Sequence, residues 1–180
     1  MSLWLLKRVR LMLFMTAAAT WFAAASAQDL EVRLDKDIRL DNLSDVVDGA
    51  GRPIAAAKLK GQVVVVDIWA SWCAPCVAQL PELEALAIKA KGKGIAVVPI
   101  SIDRGGPMAA VRAYARKNIR VLPLYVGPTA DVMDRFGVVA IPNTLVFDPQ
   151  GRLVARFRGG QKWTKETMIA LAARIRSNSR

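Results

Sequence analysis

Histidine is absent from these 180 residues, and cysteine occurs only twice, as Cys73 and Cys76. Two thiolates cannot complete a structural zinc site without help, so with no imidazole a metal site would need carboxylates or a second chain. Internal repeats and low-complexity segments are lacking, and no cysteine lies near residue 27 to carry a lipid. Nor is there an aromatic-basic motif of the kind that binds nucleic acid, which is therefore not expected as a partner. No cofactor is expected for chemistry carried by two thiols.

What the chain does have is Trp72-Cys73-Ala74-Pro75-Cys76, which puts all of its thiol chemistry in one place. The run Val63 to Ile68 before it is apolar and β-branched, as a buried parallel strand requires; Val77 to Lys91 after it is rich in Ala, Leu and Glu and suits a helix. The pair is thus expected where strand gives way to helix. There, unpaired backbone N–H groups and the positive end of the helix dipole favour the thiolate of the first cysteine, the nucleophile of disulfide exchange. The second cysteine, one turn later, can close the ring and expel a substrate thiol. A metal site and an inert structural disulfide are the competing readings. The latter would constrain the unfolded chain little, because a two-residue spacer closes a very small loop.

Lys7, Arg8 and Arg10 precede the apolar run Leu11 to Ala25, and Ala25-Ser26-Ala27 is a small-residue cleavage pattern ahead of Gln28-Asp29. Residues 1–27 are expected to be a signal peptide, with an uncleaved N-terminal membrane anchor as the alternative. The basic residues interrupt the run and leave a stretch shorter than the roughly 20 residues that span a bilayer. Residues 28–41 read as an N-terminal extension and residues 42–180 as one folded domain, exported and periplasmic. The net charge of +11 fits either attraction to an anionic membrane surface or acidic partners, or a solvated basic surface.

Along the domain, Asn42 to Val47 is expected as a short strand, Asp48-Gly49-Ala50-Gly51 as a turn, and Ala55 to Lys60 as a short helix ending at Gly61. Ile95 to Ile102 reads as a second buried strand. The Arg104-Gly105-Gly106-Pro107 loop follows, then an amphipathic helix from Met108 to Lys117 with Val111 and Ala115 inward. Leu122 to Val126 is an added strand and Asp131 to Phe136 a short helix. Thr144 to Phe147 and Arg152 to Arg158 are strands joined by the turn Asp148-Pro149-Gln150-Gly151. Thr164 caps a last helix through Ile175, with Met168, Leu171, Ala172 and Ile175 as its core stripe.

From about Asn42 to Ile175 the chain resembles thioredoxin-fold proteins of the TlpA/ResA type, the membrane-facing thiol-disulfide oxidoreductases of bacteria. The resemblance is carried by Val65-Val66-Asp67-Ile68-Trp69-Ala70-Ser71-Trp72-Cys73-Ala74-Pro75-Cys76, then Pro81, then Ile141-Pro142-Asn143-Thr144, then Gly151 and Gly159. It implies an α/β fold, a central mixed sheet flanked by helices, with an extra helix-strand insertion housed between Ser101 and Phe136. It also implies that Cys73 attacks and Cys76 resolves, and that Trp72 shields the dithiol and offers an apolar surface to the partner. Trp69 fits an ordinary core aromatic. Pro75 suits a helix start, where its missing N–H costs nothing; Pro81 should kink the helix it interrupts. Pro142 resembles the family's cis-proline, with the backbone of Ile141 beside it open to an extended substrate.

Asp67 lies six positions before Cys73 in an otherwise apolar strand, so its carboxyl should be desolvated and its pKa raised. Such a group can take the proton from Cys76 as that sulfur attacks a mixed disulfide. Thioredoxins carry an aspartate at the matching position, which points toward a reductant. The strand lysine that accompanies it there corresponds to Pro99, so Asp67 should be more strongly perturbed or relieved by water. Ala74 replaces the acidic residue found between the cysteines of ResA-type reductases, and Asn143 the glutamate after the cis-proline of cytochrome-maturation relatives. The implied activity is reduction of protein disulfides, with re-reduction by an integral-membrane electron donor and the protein acting as a monomer. The alternatives are Cu(I) handling or a role in cytochrome or oxidase assembly. Donation of disulfides usually goes with a histidine between the cysteines, and Ala74-Pro75 offers none.

Overall fold

The computed structural model describes residues 38–104 and 106–162, together with Thr167, Leu171 and Ile175. The signal peptide or anchor expected over residues 1–27, and Thr164, Met168 and Ala172 of the expected last helix, lie outside the described residues. Leu171 is buried and both it and Ile175 are helical, as the stripe required.

Six strands form one mixed sheet: β1 (Val47–Asp48), β2 (Val63–Trp69), β3 (Ile95–Ser101), β4 (Tyr125–Val126), β5 (Asn143–Phe147) and β6 (Leu153–Arg158), in the spatial order β1-β4-β3-β2-β5-β6. β2 pairs parallel with β3, and β3 parallel with β4; the β1–β4, β2–β5 and β5–β6 pairs are antiparallel. The α-helices whose bounds lie within the described residues are α1 (Ala74–Ala90), α2 (Met108–Arg116) and α3 (Thr129–Arg135). β2 is central and buried over nearly its whole length, which explains why it is a continuous β-branched run and does not alternate. The expected α/β architecture is present, with α2 and β4 as the helix-strand insertion.

Four local expectations are corrected. Asn42 to Val47 is not a strand: Leu40–Leu43 form a 3-10 turn, which puts Leu40, Leu43 and Val46 on one buried side before β1 begins at Val47. The core reaches back past Asn42, because Ile38 and Leu40 are buried in it and the Leu40 N–H donates to the Gly151 carbonyl at 3.0 Å. On α2 the buried face is Ala110, Ala113 and Tyr114, while Val111 and Ala115 are exposed. The small alanines let the helix lie close while Tyr114 stacks on Trp69 with ring centroids 5.5 Å apart, a contact that outweighs burial of one valine. The added strand is only Tyr125–Val126, since Pro123 has no N–H and the N–H groups of Arg120, Val121 and Leu122 all donate to the Glu84 carboxylate.

The turn at Asp48 matches expectation: its carboxylate accepts from the N–H groups of Ala50 and Arg52, which closes the bend before Pro53. The second turn, Asp148 to Gly151, is built the same way and buries Asp148 completely. Gly151 holds φ at 75°, and a Cβ there would stand 3.2 Å from the Leu40 side chain.

Candidate active site

β2 ends at Trp69, and four residues later Cys73 caps α1, its sulfur accepting from the Cys76 N–H at 3.3 Å. Pro75 sits in the first helical turn, where no intrahelical partner is lost. Cys73 and Cys76 are joined in a disulfide with their Cα atoms 5.2 Å apart. Cys73 is 7% exposed and Cys76 1%, so both are buried and Cys73 is the less so. The helix continues past Pro81 to Ala90, with Pro81 on its exposed side.

The loop between β2 and α1 is held by a residue that sequence reasoning missed. The buried Asp103 carboxylate accepts from the Ser71 N–H at 3.0 Å, from the Ser71 hydroxyl at 2.7 Å and from the Ser101 hydroxyl at 2.7 Å. Ser101 ends β3, the parallel neighbour of β2, so this carboxylate ties the approach to Cys73 to the rim of the sheet. An Asp just past the end of a parallel strand was the available signal.

Asp67 is buried in the middle of β2, with Pro99 of β3 on one side and Thr144 of β5 on the other. Its expected lysine-free setting holds, and two side chains donate to the carboxyl. Gln79 Nε2 donates to Asp67 Oδ1 at 2.8 Å, and the Thr144 hydroxyl donates to the same oxygen at 2.6 Å. Among the described residues Oδ2 is buried with no partner. Burial raises the Asp67 pKa to about 7, against the lowering effect of the Thr144 and Gln79 hydrogen bonds. Gln79 lies three residues after Cys76 on the buried face of α1, a polar break in an apolar stripe that was visible in the sequence but not used.

Trp69 is fully buried against Tyr114 and fills the core, as expected. Trp72 is 66% exposed and lines an open groove of about 630 Å³ with Ile102, Arg104, Thr129, Met133 and the 139–141 segment. Val139 is 83% exposed on its edge. The Ile141–Pro142 bond is cis, and neither the N–H nor the carbonyl of Ile141 bonds to another described residue. Among the described residues no group of three or more His, Cys, Asp or Glu side chains is placed to hold a metal ion.

Similar proteins show the same arrangement of chain. A ResA thiol-disulfide oxidoreductase of Bacillus thuringiensis is 26% identical over 123 residues, which is 68% of this chain and 69% of the relative. A DsbE-type protein of Chlorobium tepidum superposes with a TM-score of 0.63 at 24% identity, covering 80% of this chain and 97% of that one. The exposed lipoprotein thioredoxin Etrx1 of Streptococcus pneumoniae gives 0.58 at 25% identity, covering 70% and 94%. The fold is that of thioredoxin. The Redoxin family profile matches residues 26–172, and the chain belongs to the Redoxin family.

Proposed function

We propose that this protein is an exported thiol-disulfide oxidoreductase that reduces disulfides of periplasmic proteins through Cys73 and Cys76. The observation that carries the reading is a Cys73–Cys76 pair at the start of a helix whose Gln79 also holds the buried Asp67 carboxylate of the preceding strand. In the reduced protein the Cys73 thiolate attacks a substrate disulfide, forms a mixed disulfide and releases the first substrate thiolate. Cys76 then loses its proton to Asp67 and attacks the Cys73 sulfur. The Cys73–substrate bond breaks, the electron pair leaves with the second substrate sulfur, and the Cys73–Cys76 disulfide remains. A group with a pKa of about 7 is half ionised at neutral pH, so it can both accept and return this proton. A membrane electron donor would restore the dithiol.

The substrate side is the groove. Trp72, Val139 and Ile141 give it an apolar wall, and the unpaired backbone of Ile141 can take an extended segment as an added strand. Among the described residues Arg104 is the only charged one lining it. Export is supported by the basic and apolar pattern of residues 1–27 and by likeness to a pneumococcal thioredoxin that is an exposed lipoprotein; the site does not depend on it.

The test is capture. A Cys76→Ala variant cannot resolve the mixed disulfide, so periplasmic partners should accumulate on Cys73 and be released by dithiothreitol. The purified wild-type domain, titrated in glutathione buffers, should stay oxidised at potentials where glutathione is largely reduced. No captured partner together with a potential as oxidising as that of disulfide-donating proteins would overturn the reading.

A further inference from the structure

We infer that Gln79 and Thr144 are positioning residues which hold Oδ1 of Asp67 from two sides and leave Oδ2 as the oxygen that takes the proton from Cys76. The inference rests on the reading of Asp67 as the base and names what directs it. Both hydrogen bonds fall on one oxygen, at 2.8 and 2.6 Å, while the other oxygen has no partner among the described residues. The Gln79 amide has a fixed sense, because its Oε1 accepts the Gln161 N–H at 2.8 Å and only the Nε2 end is left for Asp67. A backbone N–H cannot reverse, so neither can the amide. On α1 a side chain leans toward the helix N-terminus, so the Gln79 amide lies over the turn that holds Cys76.

The chemistry explains the bare oxygen. In the disulfide form Cys76 has no S–H to offer, and Oδ2 is then an acceptor without a donor. In the mixed disulfide the Cys76 S–H bond breaks and the proton bonds to Oδ2, while the sulfur's electron pair forms the Cys73–Cys76 bond and the Cys73–substrate bond breaks, its pair leaving on the substrate sulfur. Among the described residues nothing charged from the surrounding elements competes for the proton. β3 faces Asp67 with Pro99, β5 with Thr144, and α1 with Gln79 and the cysteine pair. α2 contributes only Tyr114, whose hydroxyl is driven far above its usual range by burial and by Asp67 itself, and which donates to the Pro123 carbonyl.

Each bond favours the ionised carboxylate, so each should hold its pKa down. The experiment is a ¹³C-carboxyl NMR titration of Asp67 in Thr144→Val, Thr144→Ser and Gln79→Met, beside the pH profile of the slower, resolving phase with 5,5′-dithiobis(2-nitrobenzoate). Thr144→Val and Gln79→Met should each move the Asp67 titration upward by about one pH unit, and the resolving phase should move with it. Thr144→Ser, which keeps the hydroxyl, should titrate as wild type. An unmoved or lowered titration in both Thr144→Val and Gln79→Met overturns the positioning role even if Asp67 is the base. If the titration moves but Asp67→Asn resolves as fast as wild type, the base reading itself fails while the hydrogen bonds stand.

Discussion

At Asp67 the burial that raises the carboxyl pKa also costs stability, and the sign follows from linkage. The folded pKa of about 7 lies above the ordinary aspartate value of 3.8, so between those limits the folded state binds more protons than the unfolded state. Stability is undiminished below about pH 4, falls as pH rises toward 7 and is level beyond it. Asp67→Asn should therefore stabilise the oxidised protein at pH 8 by up to about 4 kcal/mol, at ~1.36 kcal/mol per pKa unit, which a higher thermal midpoint would register, and the gain should vanish near pH 3. A lower midpoint at pH 8 would make Asp67 a structural acceptor. The same variant should slow resolution by about 100-fold or more. Cys73, the more exposed sulfur, should take iodoacetamide first when the reduced protein is treated near neutral pH. Peptide mass mapping that finds label mainly on Cys76 would reverse the two roles.

At the scale of elements, two carboxylates do work that strand and helix propensities do not reveal. Glu84 on α1 accepts from the N–H groups of Arg120, Val121 and Leu122 at 2.9, 2.8 and 2.7 Å, stitching the segment before β4 to the helix. Partial burial would raise its pKa, but the three backbone bonds outweigh it and the net direction is down. Its contribution is thus present above the unfolded pKa and lost as pH falls through the lower folded value. Glu84→Ala should cost about 1–2 kcal/mol at pH 7 after allowing for its solvent exposure, and less at pH 3. A denaturation midpoint equally affected at both pH values would assign the loss to packing. Asp103 plays the matching part beside the site. Asp103→Ala should speed amide exchange at Ser71 and Trp72 while leaving the far end of the sheet, at β6, as protected as in wild type. Exchange unchanged at Ser71 would show that the loop is held by other contacts.

The groove exists only in the whole molecule, because the β2–α1 loop, the end of β3, α3 and the 139–141 segment each supply part of its lining. Trp72→Ala combined with Val139→Asp should raise KM for a protein disulfide about ten-fold, equal to ~1.4 kcal/mol of lost docking, with little change toward a small aromatic disulfide. Equal losses on both substrates would place Trp72 in the chemistry and not in docking. The sequence by itself determined the dithiol and its place between strand and helix, the buried strand that carries Asp67, the proline at 142 and the family. These depend on local composition and on spacing, which survive without knowledge of distant neighbours. It could not show which oxygen of Asp67 is held, that Asp103 ties Ser71 to Ser101, which face of α2 turns inward, or that Glu84 replaces strand pairing from Arg120 to Leu122. Each of those joins residues from separate elements, or turns on how one element packs against another, so the choice among many polar or apolar residues of the right type is made only when the sheet and helices close on one another.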